Sequence, residues 1–334
     1  METYSNRRVL LAQRPNGALS RDCFHVETVP CAALEEGQIL IEAKCLSIDA
    51  FIRTVMYEEA YHGSLPVGGT LVALGVGRIL ESRSPDFEVG DAVFGPIGAQ
   101  THAVAPASLF RKIDEEIAPL RAWVGALGVT TGLTAYFGIR AVGCVQPGET
   151  VVVSAAAGAV GSVAAQIARM DGARVIGIAG GPDKCRFLTE ELGLDGALDY
   201  KSDDVEGALR ALAPDGVDVY FDNVGGELLD VVLDQIRERA RIIICGAISQ
   251  YESMESVRGP SLYLRLAERH ARMEGFAVNF FEARYAEAQR ELSAWLDEGK
   301  LVMHEHVFSG IDHFPDALLT MFSGGHRGKL IVEP

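Results

Sequence analysis

The run TVVVSAAAGAVGSVAAQIARMDGARVIGIAGG, residues 150–181, constrains the fold more than any other part of the chain. TVVVSAA (150–156) is nearly continuously apolar, the pattern of a strand buried on both faces. GSVAAQIARMDG (161–172) sets apolar residues at helical spacing, and ARVIGIAG (173–180) is a second strand. Between the first strand and the helix lie only small residues. Ala155, Gly158 and Gly161 form A-x-x-G-x-x-G, a relaxed version of the glycine pattern that turns a chain against a phosphate. Alone, this spacing also suits an Ala/Gly-rich helix entry with no ligand. Its place after a buried strand favours a turn whose backbone N–H groups hold a pyrophosphate. Gly158 then brings backbone close to the phosphates, and Gly161 brings the helix close to the sheet. Ala155 in the first glycine's place requires a negative φ there.

The alternation continues. PDKCRFLTEELG (182–193) is a helix opened by Pro182 and Asp183 and closed by Gly193. GALDY, a helix over 203–213, strand VDVYFDNVG (217–225), a helix over 227–237 and strand ARIIICGA (240–247) extend a parallel sheet under helices. Before residue 120 the texture differs. Short β-branched runs (RRVLLA, FHVETVP, QILIEAKCLSI, GVGRILES, DAVFG, THAVA) are punctuated by Gly and Pro, with one helix expected around Phe51–Ala60. Residues 121–143 read as helical, as do 261–271 and 283–298. HEHVFSG, DHFPDALLTMFSG and KLIVEP return to short β elements around one helix, as if rejoining the first domain. The expectation is an α/β chain of two domains, 1–121 with 311–334 and 122–310, which suits its 334 residues.

A formal net charge of -16 excludes an extended nucleic-acid surface, though not a local basic pocket. No apolar run reaches the roughly 18 to 20 residues of a membrane span, and METYSNRRVLLAQRPNG lacks a signal-peptide core. Six scattered cysteines without C-x-x-C fit a reducing cytoplasm.

At the end of the second strand, where an NAD site carries an acid for the ribose hydroxyls, the chain reads Ala179-Gly180-Gly181. Lys184 follows, with Arg186 near it; Asp183 serves equally as a helix-start residue. A missing anion beside a cation suits a ribose 2′-phosphate, and so NADP(H) rather than NAD(H).

AAAGAVGSVAAQIA, DNVGGE and CGAISQYE, together with NRRVLLAQRPNG, GVGRILESRSPDFEVGD, GLTAYFGI and RGKLIVEP, resemble one family along nearly the whole chain. It is the zinc-independent branch of the medium-chain dehydrogenase/reductases, in the leukotriene B4 12-hydroxydehydrogenase/prostaglandin reductase group with bacterial curcumin reductases and plant double-bond reductases. The resemblance implies a GroES-like β domain with a central Rossmann domain, a homodimer, and NADPH-dependent reduction of the C=C bond of α,β-unsaturated ketones or aldehydes. It assigns the pyrophosphate to Ala159, Val160, Gly161 and Ser162, and the 2′-phosphate to Lys184 and Tyr200, with Gly181 beside them. Asn223, Cys245, Gly246, Ala247, Ile248, Ser249 and Tyr251 would line the rest of the cofactor, with Thr134. Phe276, Ala277 and Val278 would meet the nicotinamide carboxamide. His326 stands where the family has a cofactor-bonding asparagine. Asp49-Ala50-Phe51-Ile52-Arg53 replaces D-P-Y-M-R, and Ala99 replaces a tryptophan, so Phe51, Arg53 and Ala99 mark a substrate side less aromatic than usual.

Reducing an enone puts negative charge on its carbonyl oxygen, and a hydroxyl aimed there stabilises it. Tyr251 is the candidate, orienting and polarising substrate while the cofactor's ribose hydroxyl helps relay the proton. Zinc chemistry lacks its ligands: Cys45 has Gly68-Gly69-Thr70 where histidine is expected, and the four-cysteine lobe is missing. His304 and His306 read as exposed histidines on one face of a strand; His62 and His102 are candidates for the substrate border. Two alternatives stay open, a quinone reductase and a non-catalytic NADPH-binding sensor or structural protein.

Overall fold

The computed structural model describes residues 4–58, 63–252 and 254–334. The chain divides into two compact units, Met1–Gly128 with Glu305–Pro334, and Val129–His304. Residues 122–128 and 305–310, expected in the second domain, therefore belong to the first unit. Trp123 is buried there and donates to the Ala118 carbonyl at 3.2 Å.

The first unit opens with an antiparallel pair, β1 (Ser5–Leu11) and β2 (Phe24–Pro30). β3 (Gln38–Ser47), β4 (Gly75–Ser82), β5 (Ala92–Gly95), β6 (His102–Pro106) and β7 (Arg111–Lys112) follow. The ten-residue β3 organises the unit. Val9, Leu11, Ile39, Ile41, Leu46, Leu71 and Ile97 fill the core around it. The helix expected near Phe51–Ala60 spans Phe51–Thr54; Ala60 and His62 lie outside the described residues.

The second unit starts with a helical stretch in which π-spaced turns, Val129–Leu133 and Gly138–Gly143, flank an α turn, Thr134–Phe137. The helix expected over 121–143 is thus interrupted before Val129. Six parallel strands follow: β8 (Thr150–Val153), β9 (Arg174–Ala179), β10 (Gly196–Asp199), β11 (Val217–Asp222), β12 (Ile236–Ile244) and β13 (Arg272–Gly275). Their order is β10-β9-β8-β11-β12-β13. That is the doubly wound dinucleotide-binding order, with strand order reversing between β8 and β11. β13 falls at the end of the expected 261–271 helix, which shortens to Leu264–Glu268.

The chain then returns to the first unit as β14 (Glu305–Ser309), the helix Phe314–Ser323 and β15 (Lys329–Glu333). β15 lies between β14 and β3 in a sheet ordered β14-β15-β3-β4-β5-β7. Among the described residues, no helix is long and apolar enough to cross a membrane.

Candidate active site

At a reversal of strand order, helices leave the sheet to opposite faces and open a crevice at the carboxyl ends of the strands. Here those ends are Ser154 to Gly158, after β8, and Asn223, after β11. The turn after β8 departs from expectation at one residue. Ala155 has φ +46, in the left-handed region, and not the negative value that replacing a glycine was expected to require. Two backbone bonds hold it: Ala156 N–H to Ile178 O at 3.0 Å, and Gly158 N–H to Ala155 O at 2.9 Å. Tertiary contact thus overrides the local preference against left-handed alanine.

Gly158 is extended, at φ -83 and ψ -179, so its glycine is not required by the turn. A Cβ built on it would meet only the Ala155 oxygen within 4 Å, and the backbone there borders open space. Gly161 differs, since a Cβ on it would collide with the Ala155 carbonyl. The helix Ala159–Met170 therefore presses on the turn and aims the N–H groups of its first residues, which have no intrahelical acceptor, into the opening. Ala159 and Val160 are half-buried, and Ser162 is buried with its hydroxyl turned back to the Ala159 carbonyl. This open cradle fits a pyrophosphate held by backbone.

The neighbouring strand ends are fastened by an aspartate absent from the sequence-based assignment. Asp222 is fully buried, and its Oδ1 accepts from Ser154 Oγ (3.0 Å), Tyr220 Oη (2.9 Å), Val224 N–H (2.9 Å) and Gly225 N–H (3.0 Å). Burial raises its pKa, against the lowering effect of those donors. Ser154 Oγ in turn accepts the Asn223 N–H at 2.8 Å, and Asn223 Nδ2 donates to Ser154 O at 2.7 Å. The Asp222 carbonyl receives the N–H groups of Cys245 (2.8 Å) and Gly246 (3.1 Å). Ile248 N–H reaches Asn223 O at 3.1 Å, and Ser249 Oγ donates to Val224 O at 2.6 Å. The expected residues Asn223 and Cys245 to Ser249 thus come together in one knitted pair of loops. Burial pushes the Cys245 thiol up to about 12, which keeps it neutral.

Tyr251 closes the same loop, its oxygen accepting the Ala247 N–H at 3.2 Å. A hydroxyl that accepts a hydrogen bond is polarised as a donor. Phe276 to Val278 follow β13 directly; the Phe276 ring meets Phe281 edge-on at 6.4 Å. Thr134 gives its hydroxyl hydrogen to Val129 O at 2.7 Å, keeping only acceptor capacity.

At the ends of β9 and β10, Gly181 adopts φ +97, a glycine conformation, and donates its N–H to Asp199 Oδ1 at 2.7 Å. Lys184 is half-buried and its ammonium pKa is lowered, first by burial and then by the charge of Lys201. Tyr200 is exposed. Arg186 is engaged by Asp183.

In the first unit the expected substrate residues differ in burial. Phe51 is half-buried at the margin of the core. Arg53 is 0% exposed, donating to Gly17 O and Tyr57 Oη at 2.9 Å each, with its guanidinium 4.4 Å over the Tyr57 ring. Ala99 is also 0% exposed, and its N–H bonds Leu71 O at 2.8 Å. Both side chains are buried within the first unit, Arg53 bonded to the Gly17 loop and Ala99 in the core, whereas the resemblance implied a substrate-side place for them. His326 is half-buried between the last helix and β15. His102 contacts Thr101 Oγ1 at 3.1 Å, and burial lowers its pKa.

His304 and His306 do not share a strand face. His304 precedes β14, packs edge-on against Phe187 at 4.8 Å and lies 3.3 Å from Glu191, whereas His306 stacks on Phe308 at 4.9 Å. Burial and Glu333 push the Cys45 thiol up to about 11. Among the described residues, no three His, Cys, Asp or Glu side chains are grouped to hold a metal ion.

Two family descriptions match the chain: "N-terminal domain of oxidoreductase" over residues 7–113 and "Zinc-binding dehydrogenase" over 159–294. The second description is that of a zinc-binding family, although among the described residues no metal-ligating group is found. The NADPH-dependent curcumin reductase of Escherichia coli (strain K12) is 36% identical over 98% of this chain and 96% of its own length. The 2-alkenal reductase (NADP(+)-dependent) of Nicotiana tabacum is 36% identical over 99% of this chain and 98% of its own. The crystal structure of CurA from Vibrio vulnificus in complex with NADPH superposes with a TM-score of 0.92 at 33% identity, covering 98% of each chain.

Proposed function

The chain belongs to the zinc-independent medium-chain dehydrogenase/reductase family, and on that premise we propose that it reduces the C=C bond of α,β-unsaturated ketones or aldehydes with NADPH. The observation that carries this reading is the glycine turn at the β8/β11 reversal, joined to an acid-free β9 end with Lys184 beside it. Its relatives that are named curcumin reductase and 2-alkenal reductase support the same reaction class.

When bound, NADPH supplies the hydride. The chain's own part is placement. Backbone N–H groups of Ala159 and Val160 hold the pyrophosphate, Lys184 and Tyr200 the 2′-phosphate, and the loops from Asn223 and Cys245 the remainder. Tyr251 donates toward the substrate carbonyl, where negative charge develops.

Assays with medium-length 2-alkenals, alkenyl ketones and NADPH should consume cofactor and yield the saturated carbonyl compound. An alcohol that keeps its double bond would overturn the proposal. Activity confined to 1,4-quinones would favour a quinone reductase, and tight NADPH binding without turnover on any electrophile a non-catalytic role.

We further infer a homodimer formed at β13. All four of its residues are exposed, it is the outermost strand of its sheet, and Leu264 (63% exposed) and Tyr263 (58%) stand near it in sequence. An uncovered edge strand beside apolar side chains suits pairing with a second copy. Light scattering should give twice the 35.9 kDa chain mass; a monomer at micromolar concentration would refute it. The six cysteines, all free thiols, support a reducing cytoplasm.

A further inference from the structure

We propose that Lys201 is a second cation for the 2′-phosphate, reaching it across Gly180, which is kept free of a side chain for that purpose. The inference rests on the reading of Lys184 given above. β9 and β10 run parallel with Ala179 opposite Asp199, so Gly180 and Tyr200 leave the sheet side by side. A Cβ on Gly180 would lie 2.8 Å from Tyr200 Cε1 and 2.9 Å from Lys201 Cε, closer than side chains tolerate. The tyrosine ring and the lysine stem therefore both lie over the glycine. Gly180 is not among the residues at positive φ, so the absence of a side chain there is a matter of space and not of turn geometry.

Asp199 sets this arrangement. Its Oδ1 accepts the N–H of Gly181 at 2.7 Å and of Lys201 at 3.0 Å, and its Oδ2 accepts from Ser202 Oγ at 2.9 Å. One carboxylate thus ties the Lys184 turn to the Lys201 turn. Those donors consume the acid and lower its pKa, so it serves as an internal brace and leaves the ribose position without an acid. Lys201 forms no ion pair among the described residues, and its charge is felt at Lys184. Two ammonium groups drawn together repel one another, and a phosphate monoester carrying close to two negative charges near neutral pH relieves that repulsion. An unphosphorylated ribose offers nothing in return. The pair therefore selects for the 2′-phosphate as well as adding affinity.

Calorimetric titration with adenosine 2′,5′-bisphosphate and with AMP tests this without turnover. Lys201→Ala should weaken the bisphosphate roughly tenfold, as for loss of a charge-assisted contact, and leave AMP within about twofold. Lys201→Arg should restore most of the loss, and Gly180→Ala, which displaces ring and stem together, should imitate it. If Lys201→Ala leaves the bisphosphate unchanged while Lys184→Ala weakens it, the role of Lys201 is overturned and the Lys184 reading stands. If neither variant changes the preference for bisphosphate over AMP, both fall.

Discussion

Lys329 Nζ lies 2.7 Å from Asp49 Oδ1, a buried ion pair across 280 residues of sequence. The same ammonium donates to Ile48 O at 3.1 Å, and Ser47 Oγ donates to Asp49 Oδ2 at 2.5 Å. These bonds fasten β15 to the end of β3. A buried charge left without its partner costs far more than the intact pair contributes. Lys329→Met should therefore lower the stability of the first unit by about 3 to 5 kcal/mol in urea unfolding. Replacing Asp49 by Leu in the same chain should recover much of the loss; a single variant within about 1 kcal/mol of the parent would contradict this account.

Left-handed alanine costs about 1 to 2 kcal/mol, partly offset by the smaller backbone entropy alanine carries when unfolded. Ala155→Gly should accordingly leave stability unchanged or raise it by up to about 1 kcal/mol. Gly161→Ala should do the opposite, lowering stability by about 1 to 3 kcal/mol and weakening NADPH, since the new methyl strikes the Ala155 carbonyl. Thermal unfolding with and without cofactor measures both.

Tyr251→Phe removes a donor but keeps the ring. If the hydroxyl meets the developing enolate oxygen, kcat/KM on the best enone should fall by roughly one to three orders of magnitude, with NADPH affinity little changed. A rate within twofold of the parent would assign the proton to the cofactor's ribose hydroxyl or solvent.

Lys184→Ala should weaken NADPH by roughly 1.5 to 3 kcal/mol and leave NADH nearly unaffected, read by fluorescence titration. Equal losses for both cofactors would show that Lys184 does not read the 2′-phosphate.

What the sequence disclosed followed from local rules. Predominantly apolar runs in β8, β9 and β11 marked buried parallel strands, and small residues before a helix marked the phosphate turn. The departures share a different cause, since each depends on residues distant in the chain. Ala155 is left-handed because Ile178 and Gly158 hold its neighbours. The burial of Arg53 depends on Gly17 and Tyr57, which accept its guanidinium hydrogens, and Ala99 is tied by its backbone to Leu71. Asp222 had a signal, an acid ending an apolar strand before Asn-Val-Gly-Gly, but its role requires Ser154 and Cys245 beside it. Lys201 follows Tyr200 directly, yet only the β9–β10 register brings it over Gly180.

The first unit is made of two pieces of chain separated by the whole of the second. During synthesis, Val129–His304 emerges complete while the sheet around β3 still lacks β15, whose Ile331 and Val332 pair with Ser47 and Leu46. The nascent chain must therefore carry an unfinished β layer, with the Leu46–Ser47 end of β3 unpaired on one side, until β15 emerges. Loss of β15 leaves Asp49 without its cation and the Leu46–Ser47 end of β3 unpaired on one side, while β4 and β6 still pair with the strand, so a stalled or clipped product exposes a frayed sheet edge to chaperones or proteases although its nucleotide-binding half is already folded.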